Sequence, residues 1–158
     1  MSKINPALRN VAPLLGHVEG FTPLMHTVLI ADDDAILVRL HSNCLRHDGH
    51  HVLTATDGQQ ALDILHQERP HLVVLDVSMP HVDGFRVLHR IRQDPQLRDT
   101  LVIMLTGSDS PEDVRLGLEL GADYYLAKPV HPEELSALIR RLLQLAPVET
   151  SERQLVVA

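Results

Sequence analysis

Two rhythms of apolar and polar residues trade places along this chain. Short unbroken apolar runs occur at Val28-Leu29-Ile30-Ala31, Leu72-Val73-Val74-Leu75, Leu101-Val102-Ile103-Met104-Leu105 and Tyr124-Tyr125-Leu126-Ala127. Runs of this length and composition read as strands covered on both faces. His51-Val52-Leu53-Thr54-Ala55 reads as a fifth, more polar strand. Between the runs the apolar residues fall at helical spacing. Ile36, Leu37, Leu40 and Cys44 mark one helical stripe, which stops near Asp48-Gly49. Ala61, Leu62 and Leu65 mark a second, ended before Pro70, and Phe85, Leu88 and Ile91 follow Gly84 as a third. Ser110-Pro111-Glu112-Asp113 is a strong helix start, with Ser at the cap and Pro at the first helical position. Val114 and Leu118 are the inward residues expected of that helix, and Gly121 ends it. Leu135, Leu138, Ile139, Leu142 and Leu143 give the clearest helical spacing of all. Five β-α units in succession predict an α/β domain built on a parallel sheet.

The ends of those strands carry chemistry. Asp76 closes one apolar run and is followed by Val77-Ser78-Met79-Pro80, where proline turns the chain away from the sheet. Other runs lead into Asp32-Asp33-Asp34, Thr106-Gly107-Ser108 and Lys128-Pro129. In a parallel sheet all of these lie along one carboxyl edge, the place where open α/β proteins bind ligands. Packing gives no reason to gather carboxylates, which repel one another. A divalent cation held by Asp32, Asp33 and Asp76 removes that repulsion, and all-oxygen donors suit Mg²⁺. Asp34 reads as a helix N-cap instead of a ligand.

At these positions the chain resembles the receiver domain of two-component response regulators. The matching residues are Asp32-Asp33, Asp76 within Leu75-Asp76-Val77-Ser78-Met79-Pro80, Asp83-Gly84, Thr106-Gly107, Tyr125 and Lys128-Pro129, in the right order at the right strand ends. The likeness spans about residues 26 to 145. It agrees with a flavodoxin-like, doubly wound, five-stranded parallel sheet in the order 2-1-3-4-5 with five helices. It also implies that Asp76 accepts a phosphoryl group from a phosphohistidine on a sensor histidine kinase. Asp32, Asp33, Asp76 and the backbone carbonyl of Ser78 would hold Mg²⁺, and Lys128 and Thr106 would meet the phosphoryl oxygens. Tyr125 would be the switch aromatic that turns inward as Thr106 moves, with Tyr124 facing the other way because neighbours on a strand alternate sides. Such a protein is a phosphoryl acceptor that assists its own phosphorylation and dephosphorylation, not an enzyme. The short hydroxyls at Ser78 and Ser108, which flank the path of an attacking water in the family, imply a phosphorylated state lasting minutes and not seconds.

Composition narrows the alternatives. The net charge of −7 argues against a nucleic-acid surface, and no apolar stretch reaches the length of a membrane span. The single Cys44 excludes a disulfide framework and suits a reducing, cytoplasmic setting. With 3% aromatics and no Trp the core must be aliphatic. His47, His50 and His51 bracket a Gly49 turn and read as solvated loop side chains, not ligands. The domain reading is an N-terminal extension over 1–25, a receiver over 26–145 and a tail over 146–158. In the extension, Asn5-Pro6 followed by Leu8, Val11, Ala12 and Leu15 fits either a short helix or a disordered leader, and a start at Met25 would also give a complete receiver. No output segment is recognised after the receiver, so the expected output is a partner protein: a downstream effector, or a phosphotransferase that takes the phosphoryl group onward. An aspartate-dependent phosphohydrolase is the rival from another class. Its second acidic residue, two positions after the nucleophile, is replaced here by Ser78.

Overall fold

The computed structural model describes residues 3–4, 25–107 and 110–145. Its elements run β1 (Lys3–Ile4), β2 (Thr27–Ala31), α1 (Ala35–His47), β3 (His51–Ala55), α2 (Gly58–Glu68), β4 (Leu72–Asp76), α3 (Gly84–Gln93), β5 (Leu101–Thr106), α4 (Pro111–Glu119), β6 (Tyr124–Ala127) and α5 (Pro132–Leu145). The five strands from β2 onward are parallel and stand in the order β3-β2-β4-β5-β6, the expected 2-1-3-4-5. The sheet has one strand more than expected. Lys3–Ile4 adds to its edge antiparallel to β6, with Lys3 opposite Tyr125 and Ile4 opposite Tyr124. The rest of the N-terminal extension, Ser108 and the tail beyond residue 145 lie outside the described residues.

Alternation along the strands divides the core into two layers. Leu29, Val73, Leu75, Val102, Met104 and Tyr125 face one side and pack with Leu62, Leu65, Leu88 and Ile91 of α2 and α3. Val28, Ile30, Val74, Ile103, Leu105 and Tyr124 face the other and meet Leu45 of α1 and Leu135, Ile139 and Leu142 of α5. The four residues Leu72 to Leu75 have no exposed surface, as expected of a central strand covered on both faces.

Polar side chains fix the strand-to-helix loops. Asp34 accepts hydrogen bonds from the amides of Ile36 and Leu37 at 2.9 and 3.2 Å, which bears out its reading as a cap. Asp57 and Asp83 cap α2 and α3 in the same way, and Ser110 caps α4. Each cap satisfies amide groups that a helix start otherwise leaves bare.

Two local expectations are corrected. Ile36 and Leu40, part of the apolar stripe that marks α1, are exposed by 73% and 49%; the buried positions are His41, Ser42 and Leu45. The packed face of this helix is therefore rotated from the one its apolar residues suggest, and two polar residues occupy it. His50 is not a solvated loop residue either. Its ring packs against His26 at 6.1 Å between centroids, its Nδ1 is buried without a partner, and burial lowers its pKa.

One clamp ties the far ends of the elements together. Arg92 on α3 donates to the carbonyls of Gly121 (2.9 Å), Arg98 (2.9 Å) and Thr100 (2.7 Å), and pairs with Asp123 at 2.9 Å. Asp123 also accepts from the Val102 amide at 2.8 Å. Arg92→Ala leaves these acceptors without their donor in a largely buried place, so a loss of about 3 kcal/mol is expected. Thermal unfolding should register it as a midpoint lowered by roughly 10 °C. An unchanged midpoint would show that the clamp is dispensable. Among the described residues no helix is long and apolar enough to cross a membrane.

Candidate functional site

Register brings the strand ends level. Ala31 lies opposite Leu75, Asp76 opposite Leu105, and Thr106 opposite Ala127. Asp32, Asp76, Thr106 and Lys128 therefore stand along one edge, as expected, and the first three are buried, each with 3% exposure. The backbone around them is held closely. Gly84 packs on the carbonyl of Asp76 so tightly that a Cβ there would lie 2.2 Å from that oxygen. The Gly84 amide donates to Val77, and the Lys128 amide donates to the Thr106 carbonyl at 2.6 Å. Lys128 is joined to Pro129 through a cis peptide bond.

The Lys128 ammonium joins two carboxylates. Its Nζ is 2.7 Å from Oδ2 of Asp32 and 3.2 Å from Oδ2 of Asp76. Each carboxylate has a backbone donor on its other oxygen: Asp32 accepts from the Asp34 amide at 2.9 Å, and Asp76 from the Ser78 amide at 3.2 Å. The carboxyl of Asp76 is nonetheless pushed up to about 6, first by burial and then by Asp32, with Lys128 only partly offsetting both. Lys128 behaves oppositely: burial opposes its charge, but the bond to Asp32 and the field of both carboxylates hold its pKa above the ordinary value.

Asp32, Asp33 and Asp76 each present an oxygen within 4.8 Å of the others. Asp32 and Asp76 are buried and Asp33 is exposed, so the cluster is open to solvent on one side. Three carboxylates without nitrogen or sulfur donors form a hard-ligand set that could bind a metal and fits Mg²⁺ by donor type. Ser78 is exposed two residues beyond Asp76, in the loop that borders this cluster.

Tyr125 and Tyr124 face opposite layers, as alternation requires. Tyr125 is buried, and burial raises its phenol pKa while the nearby Thr106 side chain lowers it.

The family model for the response regulator receiver domain matches residues 28–140. This chain belongs to that family. Among curated relatives, the receiver is 44% identical over 125 residues to the transcriptional regulatory protein AfsQ1 of Streptomyces coelicolor, covering 79% of this chain and 54% of the relative. It is 39% identical over 121 residues to the alkaline phosphatase synthesis transcriptional regulatory protein PhoP of Bacillus subtilis, covering 77% and 50%. The chain thus spans about half the length of the curated relatives it matches. Among solved structures, the chemotaxis response regulator CheY4 of Vibrio cholerae superposes with a TM-score of 0.71 at 35% identity, covering 75% of this chain and 98% of that one. Receivers are signalling proteins, and the strand order and helix count of this one agree with that likeness.

Two residues near the receiver's crevice escaped the sequence reading. Gly58 approaches the loop after Asp76 so closely that a Cβ would meet the Val82 carbonyl at 1.9 Å. Gly117 leaves room for the Tyr125 ring in the same manner. For Gly117 a signal existed: a glycine inside a helical pattern costs about 1 kcal/mol against alanine and calls for a packing reason.

Proposed function

We propose that this receiver is a phosphoryl-accepting switch whose acceptor is Asp76 and whose donor is the phosphohistidine of a sensor histidine kinase. The observation that carries the reading is the meeting of Lys128, Asp32 and Asp76 in one crevice, beside a third carboxylate on Asp33. A carboxylate oxygen of Asp76 attacks phosphorus, the P–N bond to the donor imidazole breaks, and the departing nitrogen keeps the electron pair and takes up a proton. Little covalent help is needed, since positioning and charge neutralisation dominate phosphoryl transfer. Lys128, already 3.2 Å from Asp76, supplies a point charge to the incoming oxygens. Thr106 lies at the neighbouring strand end to donate its hydroxyl. Mg²⁺, when held by Asp32, Asp33, Asp76 and the Ser78 carbonyl, would neutralise charge between nucleophile and phosphoryl group. New bonds to the phosphoryl oxygens would then shift the balance of conformations around Thr106 and Tyr125.

The surface suits two partners in succession. Ile36 and Leu40 lie exposed one turn apart on α1, directly after the acidic cluster, where an apolar face of a donor protein could settle. On the far side Tyr124 and Leu126 line a groove with Glu134, Ala137, Leu138 and Arg141, within reach of an effector that reads the face around β6. The net charge of −7 disfavours direct contact with nucleic acid. A transcriptional output of the kind named in the relatives would pass through another segment or protein. The phosphohydrolase reading is disfavoured because Ser78 cannot act as its acid.

Incubation with Mg²⁺ and acetyl phosphate or a cognate kinase should add a single base-labile phosphoryl group. Asp33→Asn should weaken both Mg²⁺ binding and labelling, since it removes one ligand while leaving the buried pair intact. An unchanged Mg²⁺ titration in that variant would count against the metal site. The phosphorylated form should last for minutes, and Ser78→Asn should shorten its life by placing an amide beside the attacking water. Loss of label followed in both proteins decides it; equal rates would clear Ser78 of any role.

A further inference from the structure

Gly117 is the buried residue of α4, a helix whose other described positions are half-buried or exposed. A Cβ built on it would lie 2.8 Å from both Cδ2 and Cε2 of Tyr125, and 3.6 Å from Cε1 of Phe85. Real Cβ atoms essentially never approach ring carbons so closely, so either the ring or the helix must move. The ring is enclosed on that side by α4 and rests on the layer that contains Met104 and Val87. Nothing in the backbone demands glycine at 117, which lies in regular helix without a positive φ. Its conformational cost in a helix is therefore offset by the space it leaves.

We infer that Gly117 is a positioning residue for the switch: by lacking a side chain it creates the seat into which Tyr125 turns inward, and so sets how readily the inward state is populated. This deepens the reading of Tyr125 given above and rests on it. Tyr125 is almost fully buried and its ring carbons lie directly against the space left at Gly117, so shape governs its seat on this side. A methyl group at 117 fills that seat. Tyr125 then moves outward toward solvent, and whatever happens at Asp76 is no longer passed to the β6 face through the ring.

The chain has two tyrosines and no tryptophan, so a Tyr124→Phe background leaves Tyr125 as the only phenol. In that background Tyr125 should be protected from N-acetylimidazole. Adding Gly117→Ala should raise its acetylation rate by about tenfold, which corresponds to roughly 1.4 kcal/mol moved between the two populations. Its phenol should also titrate closer to the ordinary tyrosine value. If Tyr125 stays as protected as before, α4 has yielded instead of the ring and the inference falls. Should Gly117→Ala unfold the protein, Tyr125→Leu provides the second arm. A leucine leaves the seat partly empty, so the added methyl should lower the unfolding midpoint far less than it does beside tyrosine. An equal drop in both backgrounds overturns the inference. Neither arm uses a phosphoryl donor, so a failure of labelling at Asp76 would strike the proposed function and leave this test standing.

Discussion

Asp76→Asn should remove all phosphoryl labelling and yet make the metal-free protein more stable. The first effect follows from losing the proposed acceptor, which lies beside Asp32, Asp33 and Lys128. The second follows from linkage. The carboxyl of Asp76 is raised from 3.8 to about 6. Between those values the folded protein keeps a proton that the unfolded chain has lost. Stability therefore falls as pH rises through this window, and above it the whole penalty is present. At neutral pH an uncharged isostere escapes a cost of roughly 3 kcal/mol, taking about 1.4 kcal/mol for each unit. Denaturant unfolding at pH 7 without divalent ions should show the gain, and it should shrink below pH 4, where wild-type Asp76 is protonated in both states. Mg²⁺ should stabilise wild type more than the variant, because the ion loses one carboxylate there. Full labelling of Asp76→Asn would remove Asp76 from the acceptor role. A destabilised variant would mean that its crowding with Asp32 has been misjudged.

Lys128→Met should be the most damaging single change at the crevice. Methionine keeps much of the apolar stem but deletes the charge that lies 2.7 Å from Asp32 and 3.2 Å from Asp76. Both carboxylates are almost fully buried, and breaking a buried pair from one side costs about 3 kcal/mol. Since Lys128 also lowers the pKa of Asp76, its loss should drive that carboxyl higher and leave less of the proposed acceptor ionised at neutral pH. Labelling by acetyl phosphate should drop by about two powers of ten, the usual scale for one lost charge-stabilising donor. Added Mg²⁺ should recover much of the stability and little of the labelling, because the ion can replace the ammonium beside the carboxylates but not at the phosphoryl oxygens. Labelling at the wild-type rate would exclude the lysine from the transfer.

What could be read beforehand was whatever local sequence determines by itself. A four-residue apolar run ending in Asp76 specifies a buried central strand, and parallel strands then bring Asp32, Thr106 and Lys128 level with it. Asp34 could be placed because capping depends on residues only two or three positions away. The face of α1 could not, because the stripe Ile36, Leu37, Leu40 and Cys44 is the more apolar one, yet the buried side bears His41 and Ser42. There Ser136 and Arg140 of α5 bond to Asp48 at the end of α1, a polar contact between residues far apart in the chain. His50 was misread for a similar reason: its neighbour His26 lies on a different segment. The Arg92 clamp and the seat at Gly117 likewise depend on distant parts of the chain, beyond what spacing can reveal.

The short pairing of Lys3–Ile4 with β6 bears on how this protein is cut for study. A fragment begun at Met25 keeps every parallel strand, both core layers and the whole acidic crevice. It gives up the cover over the outer rim of β6, alongside Tyr124 and Tyr125. Open strand rims invite pairing with other chains. Self-association in such a trimmed protein would then come from the missing residues, and mistaking it for a response to phosphorylation would assign to Asp76 what belongs to the scissors.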